Sequence, residues 1–207
     1  MRVARVVIVA ASALGLSFAR DARADDATFA LSVDVAPDTD GKPVRDAAWI
    51  DAQIEAAERL FVPLGVHFRW RRTHPLPARF ASLATRADRD ALRPHVQKHA
   101  ISVFVVNELA DVDEAGRFRM GVCWHHGKDG TRYLIVAASA RPTVLAHELG
   151  HYFGLHHSKV VDNLMSYSRA DGEVFLDDAQ KSTVKGRAAL YLRTRALPDV
   201  GPARSFL

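Results

Sequence analysis

At 207 residues, with 48% hydrophobic and 25% charged composition, the chain is long enough for one well-cored domain and too short for two full ones. Its formal charge is +4, but residues 1–24 hold four Arg and one Asp and so carry +3 of it; the remaining +1 excludes a surface built for nucleic acid or acidic lipid. The single cysteine, Cys123, excludes an internal disulfide and reads as a small buried hydrophobe before a reactive or metal-bound thiol, with an intermolecular disulfide left open.

Arg2 and Arg5 precede an apolar run from Val6 to Ala19, and Ala22-Arg23-Ala24 offers small residues for cleavage. Residues 1–24 therefore read as a signal peptide, with a mature chain starting near Asp25 or, by the alternative cut, after Ala19. The run of 14 residues is shorter than the about 20 that span a bilayer, which favours export over a membrane anchor. The expected location is periplasmic or extracellular, without stable membrane insertion after cleavage.

Phe29 to Val35 alternates with the period of a half-buried strand. Asp46 is a plausible N-cap for a helix whose apolar positions Ile50, Ile54, Ala57 and Phe61 recur at helical spacing until Pro63 and Gly65. Val66 to Arg72 alternates as a second strand, and Ala84 to Gln97 reads as a surface helix or irregular segment interrupted at Pro94. Ile101 to Val106 is an apolar run with β-branched residues, hence a central strand. Arg117 to Trp124 and Tyr133 to Ala138 flank the polar turn Gly127-Lys128-Asp129-Gly130 as a strand pair. A helix starts near Pro142, and Asp177 with Gln180 opens a last helix towards Leu192 as a capping box. The expected organisation is one domain over residues 25–196 and a loose tail over 197–207.

The chemistry sits in His147-Glu148-Leu149-Gly150-His151-Tyr152-Phe153-Gly154-Leu155-His156-His157. On a helix, positions four apart share a face, so His147 and His151 can present two imidazoles to one ion. Glu148 is displaced too far to be a ligand but reaches a water held by the ion, the place of a general base. Gly154 can take the left-handed conformation that ends the helix and brings His157 back as third ligand. His156 competes with His157 for that place, and the spacing from Gly154 favours His157. Three neutral nitrogens leave a fourth position open, the mark of a catalytic zinc site rather than a closed structural one.

At these residues the chain resembles the metzincin clan of zinc metallopeptidases, in which a methionine turn supports the metal site. Asn163-Leu164-Met165-Ser166-Tyr167 fits that turn, eight residues beyond His157, with Met165 as a hydrophobic base and not a ligand. The resemblance implies that Tyr167 binds the metal weakly at rest and donates a hydrogen bond to the tetrahedral intermediate. Ser158 after the third histidine is similar to matrixins, whereas Asn163 to Tyr167 followed by Leu176 to Gln180 is more similar to bacterial relatives of the pappalysins.

The resemblance covers most of residues 28–195 and implies an α/β domain of α+β type, with a mixed twisted sheet, an active-site helix and a C-terminal helix. The strand from Arg117 to Trp124 would be the sheet edge lining a cleft, where Gly121, Val122, Cys123 and Trp124 offer backbone to an extended peptide. The implied activity is that of an exported endopeptidase with one catalytic Zn2+, acting on proteins or peptides. A non-catalytic zinc or peptide-binding module on the same fold is the alternative. His67, His74, His95, His99, His125 and His126 lack ligand spacing, although His125 and His126 lie nearest the expected cleft.

Overall fold

In the computed structural model, which describes residues 26–70 and 73–201, the alternating segment forms β1 (Ala27–Val35). The signal read at residues 1–24 lies outside the described residues. Asp46 accepts a hydrogen bond from the Trp49 N–H and caps α1 (Ala47–Phe61), whose buried face carries Ile50, Ile54, Ala57 and Phe61. Gly65, at φ 75°, turns the chain into β2 (Val66–Arg69), and β3 (Thr73–Pro75) follows. Then come β4 (Ser82–Leu83), α2 (Arg86–Asp90), β5 (Ile101–Val106), β6 (Glu108–Leu109), β7 (Gly121–His125), β8 (Arg132–Ala137), α3 (Val144–Tyr152) and α4 (Asp178–Thr194).

The main sheet runs in the order β2, β1, β5, β8, β7, with β3 also on β1, and every pairing is parallel except β7 with β8. It is thus a mixed sheet, and β7 is an edge. β5 is buried at all six positions, Ser102 included, because both faces of the sheet are covered. Ile101, Val103 and Val105 join one core with α1, α3 and α4, while Phe104 and Val106 join a second with Leu83, Leu92 and Leu109. Among the described residues, no helix is long and apolar enough to cross a membrane.

Three expectations need correction. The segment from Ala84 to Gln97 is not simply a surface element: Arg89 and Leu92 are fully buried, and the Arg89 guanidinium donates to the Ala110 carbonyl at 2.6 Å and lies over the Trp124 ring. The edge strand starts at Gly121 rather than Arg117. The Met120 carbonyl still accepts from the Ala137 N–H, but residues 117–119 bond elsewhere: the Arg119 N–H donates to the Leu109 carbonyl, the Arg117 carbonyl accepts from the Asp111 N–H, and Phe118 makes an isolated bridge to Ala110. Nor is the tail loose over 197–201. Leu197 is buried, Asp199 accepts from the Thr28 N–H, and the Val200 N–H donates to the Thr28 carbonyl.

α3 is held at its start by a residue from α1. Thr143 supplies no side-chain cap, and instead Gln53, buried in α1, accepts from the Leu145 N–H and donates to the Arg141 carbonyl at 3.0 Å. One amide thereby satisfies a donor and an acceptor that would otherwise be buried without partners. Gln53→Leu is expected to lower unfolding free energy by about 1 to 3 kcal/mol. A urea titration tests this, and an unmoved midpoint would show that water replaces the amide.

Candidate metal centre

α3 ends at Gly154, whose φ of 93° lets the Leu155 N–H return to the Gly150 carbonyl and the Gly154 N–H to the His151 carbonyl. That reversal carries His157 back over the helix. The structure brings His147, His151 and His157 together: one ring nitrogen from each lies within 4.8 Å of the others, and Nε2 of His151 is 3.0 Å from Nε2 of His157. His156 stays outside this group. Among the described residues it is the one cluster of metal-ligating side chains within such range.

The orientation of the rings is set by backbone. Nδ1 of His147 donates to the Leu164 carbonyl at 2.8 Å, and Nδ1 of His151 donates to the Leu155 carbonyl at 2.8 Å. Each contact fixes a tautomer and leaves the Nε2 lone pair facing the centre. Burial pushes His151 down to about 4 and also lowers His147 and His157, so all three are neutral at pH 7. Three neutral, convergent imidazoles fit a zinc ion, which takes nitrogen donors at about 2.0–2.1 Å.

The Leu164 carbonyl belongs to the turn predicted around Met165. Met165 is fully buried, its N–H bonds Asn163 Oδ1, and its carbonyl accepts from the Ser158 N–H just beyond His157. Two side chains that the motif does not announce hold this turn. Asn163 exchanges amide hydrogen bonds with Gln180 on α4 at 2.7 and 3.0 Å, and Arg169 donates to the carbonyls of Asn163, Leu164, Ser166 and Ser168. Gln180 is visible in sequence through its capping box, but its bond to Asn163 is not.

Gly150 explains how closely the turn approaches α3. A Cβ there would sit 2.5 Å from Met165 Sδ and 3.4 Å from Leu155. Gly150→Ala is therefore expected to push Met165 away, shift the Leu164 carbonyl from His147 and lower zinc affinity about 10- to 100-fold. Chelator competition reads the affinity. Adding Met165→Ala, which vacates that space, should recover part of the loss.

Glu148 is buried against the edge strand. Its carboxyl and Val144 occupy the space a side chain at Gly121 would need, at 2.8 and 2.7 Å. Burial pushes the carboxyl up to about 8, opposed by a hydrogen bond from the Cys123 backbone N–H and by the charge of Arg119. Cys123 itself is pushed up to about 12, chiefly by burial, and is no reactive thiolate. Tyr167 is 72% exposed, yet its hydroxyl lies 2.7 Å from His157 Nε2.

Gly121 and Cys123 face α3, whereas Val122 and Trp124 pack on the second core, where the Trp124 indole N–H donates to Asp90. Two cavities open beside the histidines, one along Gly121 to Cys123 and one beneath Phe118 to Gly121. His125 lines the first, while His126 is turned to Asp129 at 3.0 Å. The other histidines lie elsewhere: His67 faces Asp26 and Glu58, His74 faces Asp34, His95 abuts Phe80, and His99 meets the Arg195 carbonyl.

Comparison with known proteins agrees with this geometry. The sequence model of the matrixin family matches residues 86–191, just over half of the chain. No curated protein matches it in sequence. Metalloproteinase-II from Bacteroides fragilis superimposes with a TM-score of 0.56 at 16% identity, over 78% of this chain and 53% of that one, so the chain spans about half its length. Archaemetzincin from Methanopyrus kandleri superimposes with a TM-score of 0.54 at 18% identity, over 78% of this chain and 96% of that one. At these identities the likeness is one of fold, and the fold is that of metzincin-type metalloproteases.

Proposed function

Because this chain belongs to the matrixin family, we propose that it is an exported zinc-dependent endopeptidase in which His147, His151 and His157 hold the ion and Glu148 carries the proton. One observation carries the reading. Three imidazoles converge beside a buried carboxyl group, next to a sheet edge that has no partner strand on its outer side among the described residues. The charged and then apolar start of the chain supports export.

Zinc, when bound, supplies Lewis acidity and lowers the pKa of water at its open position to about 7. The remaining roles belong to the chain. β7 offers backbone to an extended substrate, which would lie along Gly121 to Trp124 as an added strand. Glu148 takes a proton from the attacking water on its carboxylate and gives it to the amine that leaves as the C–N bond breaks, while the Cys123 N–H holds that carboxylate in place. Tyr167 donates a hydrogen bond from its phenolic O–H to the developing oxyanion and keeps its proton. Buried Met165 and the Leu164 carbonyl keep His147 aligned.

The test is to measure the metal content of purified protein and its action on a mixed peptide library, with and without chelator. Stoichiometric zinc with chelator-sensitive cleavage is expected. Zinc without any cleavage would leave a non-catalytic binding module, and absence of zinc would remove both readings.

A further inference from the structure

The cavity beneath Phe118 to Gly121 opens directly from the histidine cluster, with His147 and Glu148 in its wall, and measures about 270 Å³. It is smaller than the about 300–1,000 Å³ of pockets that enclose a whole small molecule. Its size suits one side chain. Three of its lining residues are arginines: Arg119, Arg141 and Arg169.

Their charges are unequally compensated. Arg119 pairs with Asp111 at 2.9 Å. Arg169 donates only to backbone carbonyls, so its charge meets no carboxylate, and Arg141 has no side-chain partner among the described residues. Thr143, at the N-cap of α3, and Val144, its first residue, also line the cavity and add the positive end of the helix. Glu148 is the one acidic group in the lining, and its carboxylate is already assigned to proton transfer. Exposed Phe118 and Met120 stand at the rim and can cover an aliphatic stem.

We propose that this pocket selects a substrate residue bearing a carboxylate beside the bond that is cut, with Arg141 as the specificity-determining group. The proposal rests on the peptidase reading above. A carboxylate entering the pocket meets two uncompensated guanidinium groups and can form a charge-assisted hydrogen bond with Arg141. A lysine or arginine side chain meets like charge. Arg169 already clamps the turn under His147, whereas the Arg141 backbone is anchored by Gln53 and its side chain is not used by the fold. Arg141 can therefore be changed without dismantling the site.

The carboxylate can come from an Asp or Glu side chain or from the end of a peptide, and two arms separate these sources. Internally quenched peptides with both ends blocked carry Asp, Glu, Leu or Lys at each position flanking the cut. A second set carries Leu there and a free terminal carboxylate at the neighbouring residue. The expected kcat/KM is about tenfold higher for the acidic peptides than for Leu, and lowest for Lys. That acidic-to-Leu ratio should fall about tenfold in Arg141→Ala, recover in Arg141→Lys, and give way to a preference for Lys in Arg141→Glu. A preference confined to the second set assigns the pocket to a chain end.

Equal or better cleavage of Leu peptides in both arms would overturn the proposal and leave the peptidase reading standing. Binding of the same peptides to Glu148→Gln protein, followed by calorimetry, decides the pocket even where nothing is cut. Tighter binding of the carboxylate peptides supports the proposal; equal Kd values for acidic and Leu peptides overturn it.

Discussion

Replacing Glu148 by Gln is expected to lower kcat by a factor of about 10² to 10⁴ on any peptide the protein cuts, while zinc content stays that of the wild type. The amide matches the carboxylate in shape and can still accept from the Cys123 N–H, so the packing against Gly121 and Val144 survives. Only the ability to take up a proton is removed. Burial holds the carboxyl near 8, and a dication beside it favours the charged form, so the two influences oppose each other around neutral pH. Steady-state kinetics with metal analysis on the same samples checks the outcome. Turnover within a factor of ten of wild type, at full zinc, would place the proton carrier elsewhere.

Tyr167→Phe is expected to lower kcat by about 10² to 10³, with a much smaller change in KM. Although most of the residue is exposed, its hydroxyl is held between His157 and Arg119, and loss of solvent raises the phenol above its ordinary value. It therefore remains a donor at neutral pH. The ring also stacks on His147 at 5.7 Å between centroids, a contact that Phe preserves. An unchanged kcat would make Tyr167 a neighbour of the metal centre and no oxyanion donor. An effect confined to KM would make it a substrate-binding residue.

The features legible in the amino-acid sequence are those with a local signature. Period two marks β1, period 3.6 marks α1, and the Asp177 and Gln180 pair opens α4 where both capping hydrogen bonds are present. The spacing from His147 to Gly154 to His157 foretells a cluster because a helix and one left-handed residue determine the path between them. What holds that cluster is less legible. Gln53 reaches Arg141 across 88 residues, and Asn163 meets Gln180 across 17. Residue type tells that such amides need partners, but not which ones. Arg89 shows the same limit. A charge in a short helix reads as surface, and only the carbonyl of Ala110 and the Trp124 ring make its burial tolerable. The start of β7 is not legible either, because alternation continues through Arg117 to Met120, whereas the ladder with β8 begins at Gly121.

The bonds between Thr28 and residues 199 and 200 bring the two ends of the described segment, residues 26 and 201, near one place beside the first residues of β1. The domain is therefore nearly a closed ring of polypeptide. Such a ring can be spliced into a surface loop of another protein with short linkers, since its entry and exit already meet. It would then arrive as a self-contained cartridge, its zinc cluster assembled from α3 and the turn that follows rather than from either end.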